Sequence, residues 1–312
     1  MATQPKPKNG NKEPHVTQKQ ESPGTAVAAP PSANQVPAHL VEAAKEDAGR
    51  GVSTDRADNI IPLIYVMHPL SPQVDESSPQ HVAGARPGSI WLRNWQTPMV
   101  PGDQGILVQP CAFGKDWPEW VPRTSGGGFV ARHPNKIATA EDVKKYGDKL
   151  VEGEDVPDCP DATFKVDQTN RQKVWSRPNG NNLILTRNHA VRVILGEGQA
   201  LQYMIPMKGA SHAVSKEWMG KMMVKHAPDG TLLPSFSCLY RLTTRQRKNQ
   251  KGTWYQFQVA DAGYVTPEDY RAGRALNAAV ESGEKVAEAE VHTGSGEDAP
   301  AGGGKQGDDL PY

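Results

Sequence analysis

Four stretches of this chain alternate apolar and polar residues with a period of two, and nothing else in it limits the fold as much. Within residues 183–195, Val191, Val193 and Leu195 face one way and Arg192 the other, and Leu201, Tyr203, Ile205 and Met207 repeat the pattern. Phe236, Cys238, Tyr240 and Leu242 share a side, as do Tyr255, Phe257 and Val259, with Trp254, Gln256 and Gln258 opposite. Successive side chains of a strand point to opposite faces, so each stretch reads as a strand with one covered face. The last two are joined by the polar span 243–252 and read as a hairpin with a basic loop. Shorter apolar runs at 60–67, 89–92 and 105–109 add strands.

Helical spacing is confined to a few places. Trp218, Met222 and Met223 predict a helix over 215–225. Thr266-Pro267-Glu268-Asp269 supplies an N-cap, a proline at the first helical position and acids in the first turn, predicting a helix over 266–282 that stops at Gly283. Residues 140–167 are acidic and read as a short helix followed by an exposed loop.

The ends differ from the middle. Only 37% of the 312 residues are hydrophobic, with 30 Gly and 27 Pro, too polar a composition for one packed domain of that length. Scarcely any large apolar residue precedes Leu40, and the chain after Gly283 turns to Gly, Ala, Glu, Asp and Pro. The division expected is a disordered N-terminal arm over 1–56, with one short helix at 37–48, a single β-rich domain over 57–282 and a disordered acidic tail over 283–312. The longest apolar stretch, 60–67, is broken by Pro62 and falls far short of the roughly 20 residues that span a bilayer. No membrane segment and no secretory signal are expected, which points to a cytoplasm. Cys111, Cys159 and Cys238 are too far apart for a zinc knuckle or a disulfide framework.

Net charge is zero, with 35 Lys plus Arg against 35 Asp plus Glu. The charges are nevertheless sorted. Residues 171–260 hold fourteen bases against three acids, a surplus of eleven, whereas residues 281–312 hold eight acids against two bases. A basic, strand-rich segment interleaved with aromatics suits single-stranded nucleic acid, because cations follow the phosphates and planar side chains stack on unpaired bases. Arg187, Arg192, Lys208, Arg241, Arg245, Arg247 and Lys248 are the expected phosphate ligands, with Trp254 and Trp175 as stacking platforms. Tyr240, on the side of Phe236 and Cys238, is expected in the core.

The chain closes on Asp308-Asp309-Leu310-Pro311-Tyr312 after a linker of Gly, Ala, Pro and acids. This resembles the C-terminal tip of bacterial and tailed-phage single-stranded DNA-binding proteins, which end in aspartates, an aliphatic residue, proline and an aromatic; here Tyr stands for the commoner Phe. The resemblance implies a mainly β (α+β) fold with an OB-type β-barrel, one or two helices and disordered flanks. It also implies that Leu310, Pro311 and Tyr312 fill an apolar pocket on a replication or recombination protein while Asp308 and Asp309 meet basic residues there. Residues 60–74 (IIPLIYVMHPLSPQV), GARPGSIW and Gly126-Gly127-Gly128-Phe129 look like a pattern of phage and prophage proteins.

Enzymatic constellations do not assemble. Gly126-Gly127-Gly128 lacks the Gly-Lys-Ser/Thr of a phosphate loop, and His189, His212 and His226 lack partners at metal-ligand spacing. The expectation is a non-enzymatic protein without cofactor that coats single-stranded DNA, recruits partners through its tip, allows self-association and works in the host cytoplasm of a phage. A virion or scaffold protein, a nuclease and a strand-annealing recombination protein are the competing readings.

Overall fold

Strand periodicity becomes sheet along a single spine. The computed structural model describes residues 60–94, 99–147, 149–166, 173–196, 198–249 and 252–287. The arm before residue 60, with the helix expected at 37–48, and the tail with its tip at Asp308–Tyr312 lie outside the described residues. In chain order the elements are β1 (Ile60–Ile61), β2 (Ile64–Val66), β3 (Ile90–Leu92), β4 (Met99–Val100), β5 (Ile106–Trp120), β6 (Phe129–Ile137) and α1 (Ala140–Tyr146). Then follow β7 (Asp155–Pro157), β8 (Thr163–Val166), β9 (Lys173–Ser176), β10 (Asn182–Leu183), β11 (Thr186–Gly196), β12 (Gln199–Lys208) and α2 (His212–Met223). The last are β13 (Cys238–Asn249), β14 (Gly252–Tyr264), α3 (Pro267–Glu281) and β15 (Val286–Ala287).

The 15-residue β5 is the spine. Antiparallel β11 and then β10 line one of its edges; β13 takes the other edge at Ile106–Val108, and β6 takes it at Asp116–Trp120. The first half of β5 thus belongs to the order β12-β11-β5-β13-β14, and the second half to a lobe built from β6, α1 and β7 to β10. Only 105–109 reads as strand in the sequence, because Pro110 and Pro118 interrupt it. A proline has no amide hydrogen for a ladder and is tolerated at bulges. Pro110 sits at one: the register against β11 slips between Ala112↔Ala190 and Pro110↔Val191.

The fold is β-rich α+β, with three α-helices among the described residues. Among the described residues the sheet does not close into a barrel: β12 and β14 do not pair. Residues 62–68 stand in the gap instead. The Met204 amide donates to the Pro62 carbonyl at 2.8 Å, Leu63 bridges Met204, and at the other side the Tyr255 amide approaches His68 Nδ1 at 3.5 Å. Beneath lies the main core, with Val108, Val191, Val193, Tyr203, Ile205, Tyr240, Leu242, Phe257 and Val259 from five strands and Val214, Trp218 and Met222 from α2. Tyr240 is in the core, as its strand face predicts. The acidic stretch after α1 is more than a loop: it carries β7 and β8, and its Leu150, Val156, Cys159 and Ala162 pack with Trp117, Trp175 and Leu183 as the core of the second lobe.

The two larger helices match their spacing closely. Thr266 caps α3, its hydroxyl accepting from the Asp269 amide at 3.1 Å, and Pro267 opens the helix. The buried face of α3 carries Gly273 and Leu276, and it lies on the outer face of β5 and β11, where Cys111, Ala190 and Met204 form a third cluster with Ile61 and Leu63. Both faces of β11 are therefore covered.

Candidate nucleic-acid interface

The β13–β14 hairpin gathers what the charge pattern promised. Register pairs Arg241 with Ala260, Thr243 with Gln258, Arg245 with Gln256 and Arg247 with Trp254. Directly opposite residues of an antiparallel pair point the same way, with Cβ atoms about 4.5–5.5 Å apart. Arg241, Arg245, Arg247, Trp254, Gln256 and Gln258 thus share one face. The opposite face carries Leu242, Thr244, Phe257 and Val259, with Lys248 near the turn.

That second face is held down by the chain before β5. The Thr244 amide donates to the Gly102 carbonyl at 2.8 Å, and its hydroxyl donates to the Gly88 carbonyl at 2.5 Å. The Tyr255 ring lies so close to Gly88 that a Cβ there would come within 2.6 Å of it, and Gly88 has φ of 90°, a region that favours glycine. With its inner face fastened, the hairpin turns its arginine face to solvent at Arg241, Arg247 and Gln258, while Gln256 on the same face is buried.

Arg247 and Lys248 are exposed at the end of the hairpin, and Arg241 is exposed while also donating to the Gln104 carbonyl at 3.3 Å. Arg245 and Trp254 are half-buried. Arg245 Nε and Trp254 Nε1 are shielded from solvent and have no hydrogen-bond partner among the described residues. A donor left in that state costs about 1–3 kcal/mol. The one acid of the hairpin, Asp261, is occupied by Lys225 at 2.8 Å and Lys221 at 3.9 Å, leaving the arginines unneutralised by it.

The remaining residues expected to bind are elsewhere. Arg187 is 8% exposed; its Nε donates to Ser215 Oγ at 2.7 Å, its guanidinium lies over the Phe113 ring, and burial pulls its pKa down. Arg192 is 9% exposed, with Nη1 2.6 Å from Gln109 Oε1 and 3.0 Å from Asp269 Oδ1. Lys208 lies over the Trp120 ring at 4.5 Å, at the far end of β5. Trp175 is 3% exposed, packed against Trp117, Tyr146 and Phe164. For Arg187 and Arg192 the reason is coverage: α2 closes over one face of β11 and α3 over the other, so alternation does not leave a solvated side.

Sequence reasoning missed a buried polar relay on the same strand. Arg187 Nε–H donates to Ser215 Oγ, and the same oxygen is hydrogen-bonded to His189 Nε2 at 2.7 Å. His189 stacks on Trp218, with centroids 4.7 Å apart, and burial, followed by the nearby Arg187 charge, pushes it down to about 3. Enclosed in this way, the Ser–His pair supports packing and has no access for a substrate. Among the described residues no group of three or more His, Cys, Asp or Glu could hold a metal ion, and no helix is long and apolar enough to cross a membrane.

Among known proteins, the family model described as Pam3 phage gp34-like protein matches residues 31–286. No curated protein and no solved structure matches the chain.

Proposed function

The chain belongs to the Pam3 phage gp34-like family, and from that premise we propose that it binds single-stranded DNA without sequence preference, through the outward face of the β13–β14 hairpin. The observation that carries this reading is the register that sets Arg241, Arg245 and Arg247 beside Trp254 on one face. Arginines spaced along a strand follow a phosphate backbone, and an indole among them stacks on a base of any identity. A duplex hides its bases from such a platform.

Connectivity supports the same reading. The elements β5, β11, β12, α2, β13 and β14 run strand, strand, strand, helix, strand, strand, with the first strand paired to the second and the fourth. We read this order as that of an opened OB-type barrel, with β2 in the seam where the barrel would close and the hairpin at the connection between the last two strands, a place where OB barrels bind oligonucleotides. The tip Asp308-Asp309-Leu310-Pro311-Tyr312, with its resemblance to those of single-stranded DNA-binding proteins, agrees with a role in replication, recombination or repair and with recruitment of a partner protein.

Titration of the protein with oligo-dT at two salt concentrations, read by tryptophan fluorescence, tests the proposal. Three phosphates neutralised by three arginines give a slope of log affinity against log salt near −2, so a fourfold rise in salt weakens binding about 20-fold. Trp254→Ala removes about 1–3 kcal/mol of stacking and most of the quenching. Absence of salt-dependent binding, or a Trp254→Ala variant that binds and quenches as before, overturns the reading.

A further inference from the structure

We infer that the second lobe holds a separate contact for the same DNA strand: a cleft between α1 and β8 that takes one base with its phosphate. This rests on the function proposed above and extends it to a second site. The cleft has a volume of about 380 Å³ and is lined by Tyr146, Lys149, Phe164, Lys165 and Val166. Its two rings are partly exposed and tilted towards each other, with centroids 5.9 Å apart and planes at 53°.

Both rings are braced from below by Trp175, which meets Tyr146 edge-on at 5.3 Å and Phe164 at 4.9 Å. Trp175 is thus a positioning residue for the pair, buried in the lobe core. Cations surround the rings: Lys145 Nζ lies 4.7 Å from the Tyr146 centroid and Lys173 Nζ 6.0 Å from that of Phe164.

Residues 140–167 of the lobe are acidic in sequence, yet several of these acids are spent internally. Asp142 pairs with Lys136, Glu154 with Lys173 and Asp155 with Lys115. Lys149 and Lys165 at the cleft mouth are exposed and form no ion pair among the described residues. Two partly exposed rings at the side of an open, mostly polar cleft, with two lysines at its rim that pair with no acid among the described residues, suit a flat heterocycle laid against a ring and joined to an anion, which is a nucleotide with its base unstacked.

Placement on the spine sets a length requirement. The hairpin meets β5 at Ile106 and the lobe meets it up to Trp120. At about 3.3 Å per residue these attachment points lie on the order of 45 Å apart along β5, a length that a single strand bridges with on the order of ten nucleotides.

The test uses the full chain with Lys149→Glu and Lys165→Glu together, and separately Tyr146→Leu, which keeps apolar contact with Trp175. The probes are oligo-dT of about 30 and about 6 nucleotides, the longer spanning both sites and the shorter only one. On the long probe the lysine pair lowers the salt slope by roughly 1.4, and Tyr146→Leu weakens binding severalfold at an unchanged slope. On the short probe both variants bind as the parent does. If the long-probe slope and affinity stay at the parent values while hairpin variants still reduce them, the cleft is not a contact and the hairpin reading stands. If the parent chain fails to bind either probe, both fall together.

Discussion

Arg192→Met decides between two roles for one cation. Its alternation within β11 makes Arg192 a phosphate ligand; its surroundings make it a structural ion. The guanidinium reaches Gln109 Oε1 at 2.6 Å and both the side chain and the carbonyl oxygen of Asp269, at 3.0 and 3.2 Å. Its side chain is 11% exposed and that of Asp269 is 23% exposed. Removing one member of a fully buried pair costs about 3–5 kcal/mol, and because Asp269 regains some water a smaller cost applies, about 2–3 kcal/mol at this partly open site. For a domain of this size each kcal/mol shifts the melting temperature by about 2–4 °C, so a fall of about 4–12 °C is expected.

Urea unfolding read by far-UV circular dichroism gives the stability change, and an oligo-dT titration on the same sample gives the DNA contact. A phosphate ligand removed lowers the salt slope by about 0.7; a structural ion removed leaves it untouched. The expected result is therefore lost stability at constant slope. The paired variant Arg192→Met with Asp269→Leu recovers much of the loss, since an apolar replacement of a buried pair is often close to neutral. A variant that keeps its stability within about 0.5 kcal/mol and loses about 0.7 of slope refutes the argument and returns Arg192 to the interface.

Two further outcomes follow from the same packing. A Cβ at Gly273 would lie 2.3 Å from Gln109 Nε2, which donates to the Phe236 and Asp269 carbonyls at 2.7 and 2.9 Å and cannot move without losing both. Gly273→Ala should then destabilise by about 1–3 kcal/mol in thermal unfolding, against the roughly 1 kcal/mol that alanine gains in a helix; a more stable variant would show that α3 does not press on Gln109. His189, held down at about 3, stays neutral in the fold while the unfolded chain takes up a proton near pH 6.5. Stability is thus complete above pH 6.5 and declines by up to about 1.4 kcal/mol per pH unit as pH falls from there towards 3. His189→Gln should flatten that decline in a series of denaturation curves, and an equally steep decline in the variant would place the proton uptake elsewhere.

Much of the β architecture is legible because period-two patterning depends on one covered face, and β12, β13 and β14 each have such a face. The long β5 is harder to see. It has neighbours along both edges and different layers along its length, so Ile106 and Val108 obey one core while Trp117 obeys another, with Pro110 and Pro118 between them. The lobe is hidden for a related reason: its core is assembled from Leu150, Val156 and Ala162, single apolar residues scattered among acids, and their convergence is set by pairing that no local pattern records. At the candidate interface, the hairpin was legible because register inside a hairpin is local. Arg187 and Arg192 were not, since what decides their exposure is α2 and α3, which lie 28 and 77 residues away at Ser215 and Asp269.

The position of α3 also bears on why the hairpin should be the place of contact. A sheet built in this order could offer the outer face of β11 and β12 to a ligand, but α3, Ile61 and Leu63 cover it with apolar packing around Ala190 and Met204. Exposing that face would mean unseating Leu276 and breaking the Arg192–Asp269 pair, a cost that a few phosphate contacts do not offset. The hairpin requires no such rearrangement. Its inner face is already committed to Gly88 and Gly102, and its outer face keeps its arginines while the hairpin's own acid, Asp261, pairs with Lys225 and Lys221. Charge neutrality of the whole chain is compatible with this arrangement because residues 281–312, with eight acids against two bases, offset bases that the hairpin leaves unneutralised.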